Sequence, residues 1–241
     1  MNDDQALSID PAGAGNVWSV DADALLQSVL DRPDAPPLLR QALSGVLSWQ
    51  TRNETPVRRT LTSPRLAPQW VAALLVQGAT VTIEAEAGPS DVPLELLPEH
   101  RGEGAVAALH VPPGGPGRWW GEAHVARTPA DEPIVAAFAV VDVSGPSTSS
   151  GQGGVVLQAR VALTGAWPEP ARLAQAPAAL AGGPLDAERI RGVAAALEQE
   201  VVPPGDFLGS EEYRRAMAGV LARRALEACL HQEAGEEGGH E

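Results

Sequence analysis

The spacing of apolar residues changes several times along the chain, and each change marks an element. In "DADALLQSVLDRP", Ala24, Leu25, Val29 and Leu30 recur at helical spacing, Asp21 or Asp23 can cap the start, and Pro33 follows the end. "PPLLRQALSGVLSW" repeats the pattern with Leu38, Leu39, Ala42, Leu43, Val46 and Leu47. "APQWVAALLVQGATVTIEAE" reads as a helix stopped near Gly78 and then a strand over 79–84. A further strand is expected around 106–111. The segment "PPGGPG", 112–117, can neither propagate a helix nor sit inside a sheet, so a domain boundary is placed there.

Beyond that boundary the pattern favours strands in "RWWGEAHVAR", "PIVAAFAVVDV" and "GGVVLQARVALTGA", the last two joined by a flexible connector, "SGPSTSSGQGG". Alternation puts Trp119 and Trp120 on opposite faces, one in the core and one at a rim. Helices are expected over 170–181, 186–200 and 210–231. In the last of these Ser210 can cap, Tyr213, Met217, Val220 and Leu221 form the apolar stripe, and Arg214, Arg215, Arg223 and Arg224 ride the other faces. Strands followed by helices give an α+β fold, an antiparallel sheet covered by a helical layer. Residues 1–16 read as a flexible lead-in and 232–241, "QEAGEEGGHE", as a disordered acidic tail.

Composition narrows the function. The chain has 241 residues, 44% of them apolar and only 4% aromatic, so its core is built from Ala, Val and Leu. A formal charge of −14 argues against nucleic acid or an anionic membrane as the main partner. All 17 basic residues are arginine, which removes lysine Schiff-base chemistry and a Walker-type lysine. The lone Cys229 builds neither an internal disulfide nor a cysteine metal site. The acidic start lacks the apolar stretch of a signal peptide, and no run reaches the length of a membrane span, so a soluble cytoplasmic protein is expected.

Catalytic patterns are scarce. The five histidines are scattered, with His124 in a strand, and "GPSTSSG" lacks a nucleophile-elbow pattern. No catalytic or metal-ligating set is assigned. The informative stretch is "QTRNETPVRRTLTSPRLAPQW", where Arg52, Arg58, Arg59 and Arg65 lie close together among hydroxyl residues. Arginine forks and hydroxyls suit phosphate. The stretch reads as a nucleotide cradle, as the remains of one, or as a solvated loop.

A resemblance chooses among these. "GDFLGSEEYRRAMAGVLARRALEA" is similar to the closing helix of the medium, flavin-binding subunit of molybdenum hydroxylases, the carbon monoxide dehydrogenase and xanthine dehydrogenase family. The matching positions are Asp206, Gly209, Ser210, Tyr213, Arg214 and Arg215. Upstream, the strand, Gly-x-x-x-x-Pro turn and helices of "VVLQARVALTGAWPEPARLAQAPAALAGGPLDAERIRGVAAALEQEV" resemble the same family in the same order. "TRNETPVRRTLTSPRLAPQWVAALLVQGATVTI" resembles its second flavin loop through Arg52, Asn53, Thr55, Val57, Ser63 and Pro64. The family's two glycines and asparagine are here Arg58, Arg59 and Thr60, and its acidic residue at the following helix start is replaced near Gln69. A Cβ restricts φ and blocks close approach of a backbone to a diphosphate.

The resemblance implies a remnant of the second flavin-binding subdomain over 17–112 and, over 116–231, a C-terminal domain of three-stranded antiparallel sheet plus helical layer. The family's first flavin subdomain, with its Ala-Gly-Gly-Thr-Asp loop, would lie before the chain begins. The implied cofactor-binding residues are Arg52, Asn53, Thr55, Arg58, Arg59 and Thr60, in a vestigial flavin loop. The implied role is a structural or docking subunit of a molybdenum-hydroxylase-like oxidoreductase complex, with no flavin of its own. Its partners would be a molybdopterin-binding large subunit and an iron–sulfur small subunit. The alternative is a genuine FAD-binding electron-transfer subunit whose missing subdomain comes from another chain. Loss of that subdomain would leave an exposed apolar patch on the helices at 22–31 and 37–48.

Overall fold

The helix over "PQWVAALLVQ" is apolar on every face, and a helix of that kind needs cover all round. A computed structural model describes residues 17–44, 47–115, 117–128, 131–144 and 154–237, with side chains described as far as 232. The N-terminal part runs β1 (Trp18–Asp21), α1 (Leu26–Asp31), α2 (Pro37–Ser44), α3 (Trp49–Glu54), α4 (Val57–Thr62), a short 3-10 turn and α5 (Pro68–Gln77). It continues with β2 (Thr80–Ala85), β3 (Gly88–Pro93), a 3-10 helix (Leu94–His100) and β4 (Ala105–Val111). The C-terminal part holds β5 (Arg118–Val125), β6 (Val135–Val143), β7 (Val156–Thr164), β8 (Arg172–Leu173), a 3-10 helix (Ala176–Leu180), α6 (Ala187–Glu200) and α7 (Glu211–Glu237).

Two four-stranded antiparallel sheets result, in the orders β1-β4-β2-β3 and β5-β6-β7-β8. Helix α5 is buried at all ten positions and ends on Gly78, whose φ of 72° is open to glycine at little cost. It packs in one cluster with Val81, Ile83 and Leu109 of the first sheet and with Phe138, Val140 and Ala162 of the second. On the opposite face of the second sheet, Ala139, Val141, Val161 and Leu163 meet α6 and α7. Burial on both faces explains why β6 reads as a continuous apolar run instead of an alternation. Arg160 ties the two sheets' surroundings together, donating to Val76 O at the end of α5 (3.2 Å) and to Gln158. Burial and the nearby Arg118 charge pull its pKa below the usual arginine value.

The α+β class, the antiparallel sheet over 118–164 and its helical layer are as expected, with the two-residue β8 adding a fourth strand. Trp119 and Trp120 do face opposite clusters, both half-buried. Four expectations need correction. The helix over 170–181 is instead β8 and a 3-10 turn, because Leu173 pairs with Ala162 and proline interrupts the segment at Pro177. The arginine-rich stretch is two short helices, α3 and α4, capped by Ser48 and broken at Pro56. Helices α1 and α2 do not carry an exposed apolar patch, because Leu26, Val29, Leu38, Leu39 and Leu43 are all buried in the α5 cluster.

The fourth correction concerns α7, which is rotated from its expected setting. Its buried line is Arg214, Ala218, Leu221, Ala222, Ala225, Leu226 and Cys229, while Tyr213 is 38% exposed. The cause lies on β5, where a Cβ at Gly121 would fall 2.1 Å from Ala225 O. At that separation only the alanine-rich face of α7 can meet the sheet. Ser210 caps the helix, accepting from Tyr213 N at 3.2 Å. Residues 1–16, most of the 144–154 connector and residues 238–241 of the tail lie outside the described residues.

Candidate functional site: the arginine loop and its groove

The segment between α3 and α4 is extended at Thr55 and Pro56, and it runs beside residues 22–26. Leu26 N donates to Thr55 O (3.0 Å), Val57 N to Ala24 O (2.9 Å) and Arg58 N to Ala22 O (2.8 Å). Arg59 N closes on Pro56 O at 3.0 Å. The resemblance sets the 58–60 backbone against a diphosphate, and here the Arg58 and Arg59 amides are both bonded within the chain. Helix α4 has six residues, too few to offer a useful dipole in their place.

The side chains divide in the same way. Arg52 reaches inward to Gln27 Oε1 (2.8 Å) and to the carbonyl of Leu47, holding α3 to its neighbours. Asn53 donates to Trp49 O at 2.8 Å, within its own helix. Thr55 is buried, and Thr60 is buried with its hydroxyl on Val57 O at 2.7 Å. Arg58 forms an ion pair with Asp23 at 2.5 Å, both side chains more than half exposed, so the pair contributes under about 1 kcal/mol. The Arg59 side chain is exposed and makes no ion pair among the described residues. Of the six expected site residues, the structure brings only Arg58 and Arg59 to a common surface.

That surface is the wall of a groove of about 1180 Å³. Its floor includes Leu61, Val71 and Leu94, and Arg101 and Arg172 stand on walls distant in sequence. Arg172 also lies over the Trp167 ring, 5.2 Å from its centroid. Sequence reasoning missed Arg101 and Arg172, since nothing local distinguishes them and only the packing of β8 beside α5 brings Arg172 to the groove that Arg101 lines. Glu95, Glu99 and Glu169 line the same groove and offset most of its positive charge.

Elsewhere the chemistry is sparse. No group of three His, Cys, Asp or Glu side chains suited to a metal occurs among the described residues. His110 is held between Ser19 Oγ (2.9 Å) and Thr82 Oγ1 (2.8 Å) on the outer face of the first sheet, and His124 is exposed on β5. Cys229 is buried, and desolvation pushes its thiol far above the usual range, so it is inert. Among the described residues no helix is long and apolar enough to cross a membrane.

Two antiparallel sheets around a shared helix, with a groove beside that helix and a helical layer outside, define an α+β protein. Residues 124–229 match the CO dehydrogenase flavoprotein C-terminal domain. The match bears out the resemblance to the medium subunits of molybdenum hydroxylases.

Solved structures carry the same fold. Carbon monoxide dehydrogenase from Hydrogenophaga pseudoflava, lacking the Mo-pyranopterin moiety of its cofactor, is 24% identical with a TM-score of 0.76, covering 93% of this chain and 78% of that one. Quinoline 2-oxidoreductase from Pseudomonas putida 86 is 21% identical with a TM-score of 0.74, covering 92% and 78%. Reconstituted CO dehydrogenase from Oligotropha carboxidovorans is 21% identical with a TM-score of 0.73, covering 91% and 76%. No curated protein sequence matches the chain.

Proposed function

We propose that the chain is a docking or structural subunit of a molybdenum-hydroxylase-like oxidoreductase complex and holds no flavin of its own. The single observation that carries this reading is the closed arginine loop. The amides of Val57, Arg58 and Arg59 are bonded within the chain, and Arg58 and Arg59 stand where the resembled family has glycines. The residues present therefore do not fit the diphosphate of FAD through backbone contacts, and no redox step is assigned to this chain. Its partners are a molybdopterin-binding large subunit and an iron–sulfur small subunit, and the complex is cytoplasmic.

A second reading, FAD held by this chain with another chain completing the pocket, is favoured by the groove itself, with Arg58, Arg59, Arg101 and Arg172 at its walls. Co-expression of the tagged chain with the large and small subunits, followed by native mass spectrometry, separates the readings. A heteromeric complex in which this chain carries no flavin is expected. A chain that stays alone in the presence of both subunits contradicts docking, and a flavin dissociating with this chain supports the second reading.

A further inference from the structure

The chain has two phenylalanines. Phe138 is buried on β6 in the α5 cluster, whereas Phe207 is 91% exposed. An aromatic ring left so far out of its own protein gains nothing for folding, and such rings recur as anchors at interfaces. What surrounds Phe207 is rigid. It stands at the tip of a four-residue turn in which Asp206 N donates to Gly209 O (3.0 Å) and Gly209 N to Asp206 O (3.3 Å). The Asp206 carboxylate also accepts from Leu208 N (2.8 Å) and Gly209 N (3.1 Å).

Beneath the turn lies the buried Arg214. Its guanidinium donates to Asp206 Oδ2 (2.7 Å) and to Ile134 O (2.7 Å), fastening the tip to the start of β6. A Cβ at Gly209 would sit 2.9 Å from the Tyr213 ring, so the base of the turn is packed as well. Val202, 65% exposed, and the exposed Pro204 continue apolar surface along the same loop. The rim is mainly acidic: Glu211 and Glu212 are exposed beside the turn and make no ion pair among the described residues, with the half-buried Arg215 near Glu212. Asp131 and Glu132 are exposed on the segment leading to Ile134.

We infer that Phe207 is the anchor by which this chain docks on its complex, entering an apolar pocket with a basic rim on a partner subunit. The inference rests on the docking reading above and locates its surface. A pre-braced turn loses little conformational freedom on binding. The acidic collar selects a basic rim, which speeds encounter and makes the contact salt-sensitive.

The test uses the full chain with the large and small subunits and reads the dissociation constant by biolayer interferometry. Phe207→Asp is expected to weaken binding by at least about 30-fold, the loss of one interface hot spot. Its melting temperature should match that of the unaltered chain, since the ring supports nothing inside the fold. Glu211→Gln with Glu212→Gln should slow association several-fold and flatten its salt dependence.

An unaltered dissociation constant in Phe207→Asp overturns this inference while leaving docking intact. Failure of the unaltered chain to bind either subunit overturns both. A self-associated chain that Phe207→Asp renders monomeric assigns the surface to a second copy and overturns the partner named here.

Discussion

Replacing Arg214 by methionine should damage this protein more than replacing Tyr213 by alanine, although residue type alone suggests the reverse order. The Arg214 side chain is 6% exposed and donates to Ile134 O (2.7 Å), Gly165 O (3.3 Å) and Asp206 Oδ2 (2.7 Å). A hydrogen bond to a charged group is worth roughly 1.5–3 kcal/mol when buried. The Asp206 carboxylate is 40% exposed, so water screens that bond and most of the loss falls on the two backbone carbonyls.

Methionine keeps the aliphatic bulk and removes the donors. It also removes Arg214 Nε, which is buried without a partner and offsets roughly 1 kcal/mol of the gain. The net cost is about 3 kcal/mol, or roughly 6–12 °C in melting temperature for a chain of this size. Tyr213→Ala removes a ring already 38% exposed and should cost about 1 kcal/mol. Urea titration followed by circular dichroism measures both, with the slope m unchanged. If Arg214→Met costs no more than Tyr213→Ala, the clamp described here does not hold the turn.

Ser210→Ala removes the cap on Tyr213 N and should cost about 1 kcal/mol in the same assay. Gly121→Ala places a Cβ 2.1 Å from Ala225 O, forces α7 off β5 and should cost about 2–3 kcal/mol, seen as a lower urea midpoint. The Arg214 guanidinium, with the turn amides, holds the Asp206 carboxyl below the usual carboxylate range. A depressed folded pKa gives stability that is present above the unfolded value, about 4, and is lost as pH falls through the folded value. Melting temperature should therefore drop on acidification below about pH 4, and Asp206→Asn, starting lower, should show a shallower drop.

Much of the C-terminal half is legible because its local signals agree with its packing. Alternation around Trp119 and Trp120 in β5 and the apolar run of β6 each point to the element that forms. The face of α7 is not legible, since Tyr213, Met217, Val220 and Leu221 make as good a stripe as the true one. Only the closeness of Gly121 to Ala225 selects the alanine side. The edge strands β1 and β3 escape notice because "WSVD" is short and "GPSDVP" is rich in turn residues, and both depend on their neighbours for order. At the candidate site, the substitution of glycines by Arg58 and Arg59 is visible in sequence. The pairing of Val57 and Arg58 amides with residues 22–24 is not, because it joins segments thirty-odd positions apart.

The most direct test of the central claim is the flavin content of the chain, purified alone and in its complex. Absorbance from 300 to 550 nm, on the order of the usual flavin range, and cofactor release after denaturation should show no stoichiometric FAD on this chain in either state, as the bonded amides of Arg58 and Arg59 require. One FAD per chain, lost when Arg58 or Arg59 is replaced, would show that the loop opens to the cofactor and would contradict the account.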